Sequence, residues 1–588
     1  MEPTMCINWP SDRLRLLARA VLDGALVTAV AGTGPAHAFS VDTGNPDLTL
    51  RWDNSVRYNL GVRAQSQDAN ILNNSTYDNS DSKFERKDIV TNRLDVLTES
   101  DLVYKKRSGL RASAALWYDH AYRSDAEKTA NPNFVIPGLG DISAAYPDNT
   151  YTRFTKRWNR GPSGELLDAF AFTGFDLGTV PVNLKLGKHT IYWGESLFSF
   201  VHGVSYAQGP VDIRKALANP GVEAKEVFKP LSQLSATAQL RDELIVAGQY
   251  YFDWKPSAFP DGGTYFGVLD ALTQGGGTFV INPAQASAIS SALGGTPVAA
   301  VPFIPTYKQP RKTGDWGLMA RWSPAWLSGT AGVYLRKYTD KLPQIVLGGL
   351  QAAPLAFGVP IPTSLGLSYQ DKRVTLVGAS VSRVIAGVSV SAEIARRIDT
   401  PLLMGPATFL GAEPTGNTTH ALINAIAYVG KTAAFDSATL TAELTYSRLG
   451  KVKNNPANFN SVDHGCKAIA DRLGCATSDA WGLAVRFVPT WFQVVPGADL
   501  SMPLLYSIGL KGTSPVLFGG YEGGSSYSLG VALDMKAKYN FALAYNGSRA
   551  RHHNDSVNAF GQQQVGAIGG IGAQWDRGWI SFTFKATF

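Results

Sequence analysis

The sequence predicts an all-β protein: a transmembrane antiparallel β-barrel of about 18 strands, or about 16, with an internal plug-like segment. Three observations predict it. Ile580, Phe582, Phe584, Ala586 and Phe588 fall on one side of an extended strand, and Ser581, Thr583, Lys585 and Thr587 on the other. The same period of two returns along most of the chain between tight turns. No segment offers the roughly 18 uninterrupted apolar residues of a spanning helix, because the most apolar stretches, 293–307 and 347–367, are broken by Pro302, Pro305, Pro354, Pro360 and Pro362. Overall hydropathy near zero is what a barrel with apolar residues at every second position gives.

With 17% charged and 11% aromatic residues, the chain is neither disordered nor highly charged. Arg13, Arg15 and Arg19 precede an apolar run at 24–31, and Ala36-His37-Ala38 has the form of a cleavage site, so residues 1–38 read as a secretory signal and 39–588 as the mature barrel. The net charge of +7 survives removal of 1–38, which carries three basic and three acidic residues. Such an excess suits outer-membrane lipids and lipopolysaccharide, and no nucleic-acid partner is expected.

The first strand spans 47–64. The polar loop at 65–87 lacks the Asp-x-Asp-x-Asp-Gly spacing of a calcium loop and reads as solvated. Hairpins follow at 89–105 with 110–122, and at 170–177 with 182–193, where Val182, Leu184 and Leu186 oppose Asn183, Lys185 and His189. After Gly194 the alternation stops. It resumes at 231–240, 244–254, 316–322, 330–338, 374–383, 388–398, 420–429, 439–447, 481–488, 498–508, 526–536 and 539–546, before the closing strand. Ser389, Ser391, Glu393 and Arg397 oppose Val388, Val390 and Ile394; Thr439, Thr441 and Glu443 oppose Leu440, Leu444 and Tyr446; Asp534 and Ser528 oppose Leu529, Val531 and Leu533.

Lys185, Glu393, Arg397, Glu443 and Asp534 are therefore assigned to a water-filled lumen, since a dry core would not bury so many charges. Short turns such as 384–387 alternate with loops of up to about sixty residues, the asymmetry of periplasmic turns against external loops. Trp52, Trp117, Trp254, Trp322, Trp481 and Trp579 near strand ends are candidates for interfacial girdles. Cys466 and Cys475, nine positions apart, suit a local disulfide in an oxidising compartment. With one histidine nearby they make a poor zinc site, so no metal and no cofactor is expected.

The interrupted stretch reads Trp193-Gly194-Glu195-Ser196, then Phe198, Pro210-Val211-Asp212, Lys215, and Pro220-Gly221-Val222-Glu223-Ala224-Lys225-Glu226. This ordered set, with the 581–588 ending, resembles a proteobacterial outer-membrane family named as domain of unknown function 1302. It departs from the family's pattern at His189, where glutamine is usual, and at Val204-Ser205, where Ile-Asn is common. The resemblance implies a porin-like barrel in the outer membrane of a Gram-negative bacterium, found beside a lipoprotein-like periplasmic partner and an inner-membrane efflux-type pump. The terminal Phe588 is similar to the signal by which the barrel assembly machinery recognises such chains.

A barrel this wide leaves an aqueous channel unless something fills it. Residues 194–230 mix aromatics with Glu195, Asp212, Lys215, Glu223, Lys225 and Glu226, which suits a plug or gate folded inward, with Arg397 or Lys185 as the partner of Glu195. The function expected is a channel or transporter for small hydrophobic or amphipathic molecules such as lipids, sterols and fatty acids, and not an enzyme. Apolar loop segments at 298–304 and 350–357 read either as a capture surface or as loops packed on one another. The alternatives are a membrane-embedded lipid hydrolase, for which Ser205 near His202 and Asp119 beside His120 are the candidates without a Gly-x-Ser-x-Gly elbow, and a structural or adhesive barrel.

Overall fold

The strand Trp579–Thr587 pairs antiparallel with Leu48–Arg63, Thr587 opposite Ser55 and Trp579 opposite Arg63, and this pairing closes a sheet whose other neighbours follow chain order. The computed structural model describes residues 39–588 except 42, 124–130, 132–133, 137–139, 142–144, 147–148, 281–299, 351–361, 406–407, 462, 464–465, 467–471, 559 and 571. The expected signal at 1–38 lies outside the described residues.

The wall has eighteen strands: β1 Leu48–Arg63, β2 Ile89–Tyr104, β3 Ser108–Asp119, β4 Ser163–Leu177, β5 Val180–His189, β6 Leu231–Arg241, β7 Leu244–Tyr251, β8 Trp316–Trp322, β9 Gly329–Tyr338, β10 Val374–Ile385, β11 Val388–Pro401, β12 Thr415–Val429, β13 Ser437–Asn454, β14 Asp479–Val495, β15 Ala498–Ser501 continued by Leu504–Lys511, β16 Ser525–Met535, β17 Tyr539–Arg549 and β18 Trp579–Thr587. The break in β15 falls at Pro503, which has no N–H to give the ladder. A short strand, Phe39–Val41, extends the seam beyond the end of β18 by pairing with Leu50–Trp52.

The two faces separate as the alternation requires. Leu110, Leu186, Leu318, Val333, Ile394, Leu529 and Leu543 are between 52% and 59% exposed, a belt that only a lipid phase would cover. Their neighbours in register, Arg336, Arg397 and Glu443, are 0% exposed, so the charges point inward. Lys185 and Asp534 share this inner face but remain exposed there, as in water.

Several β-strands outrun the alternation at the long-loop end, β12 starting at Thr415 and β13 ending at Asn454. Beyond the apolar belt both faces meet water, and a period of two no longer marks them. β5 stops at His189 rather than at residue 193, because the chain turns inward there.

The expected girdle is half correct. Trp52, Trp322 and Trp481 are exposed at strand ends. Trp117, Trp254 and Trp579 are buried, Trp117 stacked on Trp158 at 5.3 Å and Trp579 against Phe266 at 5.3 Å. Trp579 occupies the inward parity of Ser581 and Thr583, and Trp254 lies beyond the end of β7.

The long loops gather at one end. Strands Gly277–Val280, Ala300–Lys308, Pro362–Ser368 and Gln344–Leu350 form a separate sheet there. With Trp254, Phe259, Phe303, Tyr338 and Leu367 they build an apolar core against Trp193, Val201, Val204 and Tyr206. The described part of 298–304 thus packs on other loops, Phe303 being only 2% exposed, whereas 351–357 lies outside the described residues. Cys466 and Cys475 form the expected disulfide, Cα atoms 5.8 Å apart. Among the described residues no helix is long and apolar enough to cross a membrane.

Candidate functional site

Residues 190–230 leave β5 and return to β6 at the long-loop end, yet they bond to β1, β2, β4 and β18 on one side of the barrel and to β8 through β13 on the opposite side. Only a chain inside the barrel can do this.

The first half is a turn-rich run with no helix or strand of its own, so its backbone N–H and C=O groups need partners from elsewhere. Charged wall side chains supply them. Glu393 on β11 accepts from the N–H of Glu195 at 2.7 Å and from that of Val204. Glu443 on β13 accepts from the N–H groups of Leu197, Phe198 and Ser199 at 2.6, 3.2 and 2.8 Å. Arg336 on β9 donates to the carbonyls of Val204 and Tyr206 at 2.7 and 2.6 Å, and Arg397 donates to those of Val201 and Gly203. Carboxylates take the amides and guanidiniums take the carbonyls.

Gly194 is required at its place: its φ is +91° and a Cβ would run into the Glu393 carboxylate and Val204. Trp193 packs toward Tyr334, and its N–H donates to Gln208 at 2.8 Å. Ser196 donates to the carbonyl of Ser199 at 2.6 Å.

Glu195 itself is held by Arg321 at 3.2 Å, with the Ser380 hydroxyl at 3.4 Å. The expected partners are displaced: Arg397 is committed to carbonyls and to the face of Tyr206, and Lys185 lies over the Phe170 ring at 5.4 Å. Arg321 escapes sequence reasoning because β8 is short and its one charge says nothing about what crosses the lumen.

The second half is helical and salt-bridged. Asp212 caps the helix Ile213–Ala218 by accepting from the N–H of Lys215 at 3.2 Å. It also pairs with Lys229 at 2.6 Å and Arg214 at 3.2 Å. Burial alone would raise the Asp212 carboxyl, but Arg214, Lys229 and Lys215 hold it well below the usual carboxylate range. Glu165 on β4 takes Lys215 and Lys229.

In the Pro-Gly-x-Glu-x-Lys-Glu run every charge finds a wall charge. Glu226 takes a two-pronged bond from Arg57 at 3.0 and 3.3 Å, Glu223 takes Lys585 at 2.7 Å, and Lys225 pairs with Glu99. Asn219 accepts from Arg57 at 3.0 Å and donates to Asp95 at 3.0 Å. Arg57 and Lys585 sit at inward positions of β1 and β18, where the alternation alone marks them as lumenal.

His189 ends β5 facing inward, 2.8 Å from the Ser235 hydroxyl. The hydrolase candidates are engaged otherwise: the ring nitrogens of His202 meet His420 and the carbonyl of Gly519, each at 2.9 Å, and Asp119 caps the turn at His120 by accepting from Ala121. Among the described residues, neither the His202 nor the His120 ring has a serine hydroxyl within hydrogen-bond distance.

No curated protein matches the chain. Solved structures with a similar course are outer-membrane proteins of low identity. OccAB4 of Acinetobacter baumannii is 10% identical over 92% of this chain and 100% of its own, at a TM-score of 0.40. OpdK of Pseudomonas aeruginosa, solved with vanillate, is 9% identical over 92% and 98%, at 0.37. OmpT, an outer membrane protein of Vibrio cholerae, is 10% identical over 94% and 100%, at 0.34. The model of the family described as protein of unknown function DUF1302 matches residues 19–588, and the chain belongs to that family.

Proposed function

We propose that this barrel is an outer-membrane channel or transporter for small hydrophobic or amphipathic molecules, such as fatty acids, sterols and other lipids, and that residues 194–230 are its plug or gate. The observation that carries the reading is the double anchorage of that segment, to Glu393, Glu443, Arg336 and Arg397 on one side and to Arg57, Asp95 and Lys585 on the other. A bore of eighteen strands is otherwise wide enough for an aqueous channel. Tyr192 and Leu197, each 43% exposed on the inner segment, support an apolar passenger. The lumen charges support water beside it.

In this reading the protein is not an enzyme and needs no cofactor. Phe588 serves the assembly machinery, and a periplasmic lipoprotein-like partner and an inner-membrane pump complete the route.

Two measurements test it. Single-channel conductance should rise when 196–229 is replaced by a short Gly/Ser linker, and cells with the protein should take up labelled fatty acids or sterols faster than cells without it. A wild-type conductance equal to the linker variant's would remove the gate. Hydrolysis of a lipid without uptake of any would favour the enzyme reading.

A further inference from the structure

The outer face of the barrel carries a feature that the lumen does not explain. On β11, β12 and β13, Arg396, Thr419 and Arg448 stand directly opposite one another, Arg396 facing Thr419 and Thr419 facing Arg448. All three point outward, because Ala395, Arg397, Thr418, His420 and Ser447 beside them are buried. The two arginines are therefore about 10 Å apart, two strand spacings.

Arg396 donates to the Thr419 hydroxyl at 2.7 Å. It lies against Gly450, where a Cβ would fall 2.7 Å from its guanidinium. The Arg448 side chain is exposed and makes no hydrogen bond or ion pair among the described residues, although Asp479 on β14 stands directly opposite it. The acids of this rim are occupied elsewhere: Asp479 pairs with Lys511 at 3.5 Å, and Asp399 with Lys453 at 3.0 Å and Lys372 at 3.2 Å.

What lies below the row decides its meaning. One pleat toward the short-turn end, Ile394, Ala421, Tyr446 and Trp481 form the next outward row in register, and Ala392, Ile423, Leu444 and Leu483 the one after. Both rows are wholly apolar, and Tyr446 and Trp481 lie ring to ring at 4.6 Å. Two guanidiniums above two apolar rows, at the long-loop end of a lipid-facing wall, match an anionic headgroup joined to acyl chains. Guanidinium forks suit phosphate oxygens better than ammonium groups do.

We propose that Arg396 and Arg448, with Thr419 between them, bind the phosphate of an outer-leaflet phosphorylated glycolipid of the lipopolysaccharide type, its acyl chains lying on the rows below. The proposal rests on the barrel's place in an outer membrane and not on what passes through it.

The test uses the full-length barrel purified in detergent, with bisphosphorylated lipid A as the probe and native mass spectrometry as the readout. R396Q/R448Q should bind lipid A about tenfold or more weakly, having lost both charge-assisted bonds. Dephosphorylated lipid A should bind the wild type no better than lipid A binds this double variant. K372Q, which removes one of the two lysines paired with Asp399 on the same rim and leaves Lys453 in place, should leave binding unchanged. R448Q alone breaks no internal contact and should weaken binding several-fold, which keeps the test open if the double variant does not fold. Unchanged binding by R448Q, or an equal loss in K372Q, would overturn the site in favour of general charge attraction. Displacement of lipid A by millimolar inorganic phosphate would replace it with a free-anion site.

Discussion

The Nδ1 atoms of His202 and His420 lie 2.9 Å apart, the first on the inner segment and the second on β12. Their tautomers follow from their other contacts. The Gly519 carbonyl, 2.9 Å from His202 Nε2, can only accept, so that nitrogen carries the hydrogen. His202 Nδ1 must then accept from His420 Nδ1–H, and the Thr418 hydroxyl, 2.9 Å away, donates to His420 Nε2. The pair latches the segment to the wall, and its burial beside Arg397 favours the neutral form of His202.

Acid should therefore release the segment. Burial, and then Arg397, push His202 down from 6.5 to about 4. The released form takes up its proton near 6.5 and the docked form near 4, so docking is fully stable above the first value and weakens as the pH falls toward the second. Conductance in planar bilayers should rise between about pH 7 and about pH 5, and this rise should be absent in His202→Gln. A wild-type conductance flat across that range would dismiss the latch.

Loss of Glu443 should loosen the segment more than loss of Glu195. Glu443 accepts three backbone N–H groups, and hydrogen bonds to a charged group contribute about 1.5–3 kcal/mol each. Glu195 has one arginine at 3.2 Å that is itself 40% exposed. Glu443→Gln should give larger and noisier single-channel currents, and Glu195→Gln a smaller change of the same sign. The reverse order would show that the anchor is assigned to the wrong residue.

Asp212→Asn should free the second half of the segment without unfolding the wall. It leaves Arg214 without its counter-charge and Lys229 with Glu165 alone, and breaking a buried pair costs about 3–5 kcal/mol. Trypsin should then cut at Lys215 or Lys225 in the intact barrel, while the heat-modifiable gel band is unchanged. Equal resistance of wild type and variant would contradict it.

Charge should be tolerated on one face of β16 only. Val531 is 47% exposed on the belt, and Val531→Arg should cost about 2–4 kcal/mol near the membrane midplane. Ser528→Arg, facing inward, should lose only the hydrogen bond to Asn546. Urea refolding into vesicles compares them, and equal destabilisation would mean that the faces are reversed.

Reducing the Cys466–Cys475 disulfide should loosen only its own external loop. Closing so small a ring contributes roughly 2–3 kcal/mol by restricting the open chain. Protease cleavage between 455 and 478 should speed up on reduction, with conductance unaltered.

Most of the barrel was legible in residues two apart. Alternation of Leu529, Val531 and Leu533 with Ser528 and Asp534 fixed both the strand and its faces, because membrane and lumen impose opposite solvents on successive side chains. The loss of that alternation after Gly194 marked a segment apart from the wall, although the strand before it ends earlier, at His189. These are local signals, and local sequence carries them.

Which charge meets which was decided by the tertiary structure. Glu195 finds Arg321 instead of Arg397, Glu443 spends its charge on three backbone amides, and His202 faces His420 across 218 positions of chain. Trp117 and Trp579, tryptophans at strand ends like Trp52, are buried against Trp158 and Phe266 instead. An ion pair or hydrogen bond depends on a few ångströms between segments that the chain brings together only when the barrel closes. No spacing along the sequence encodes that distance, whereas the choice between lipid and water at each position is written in the residue itself.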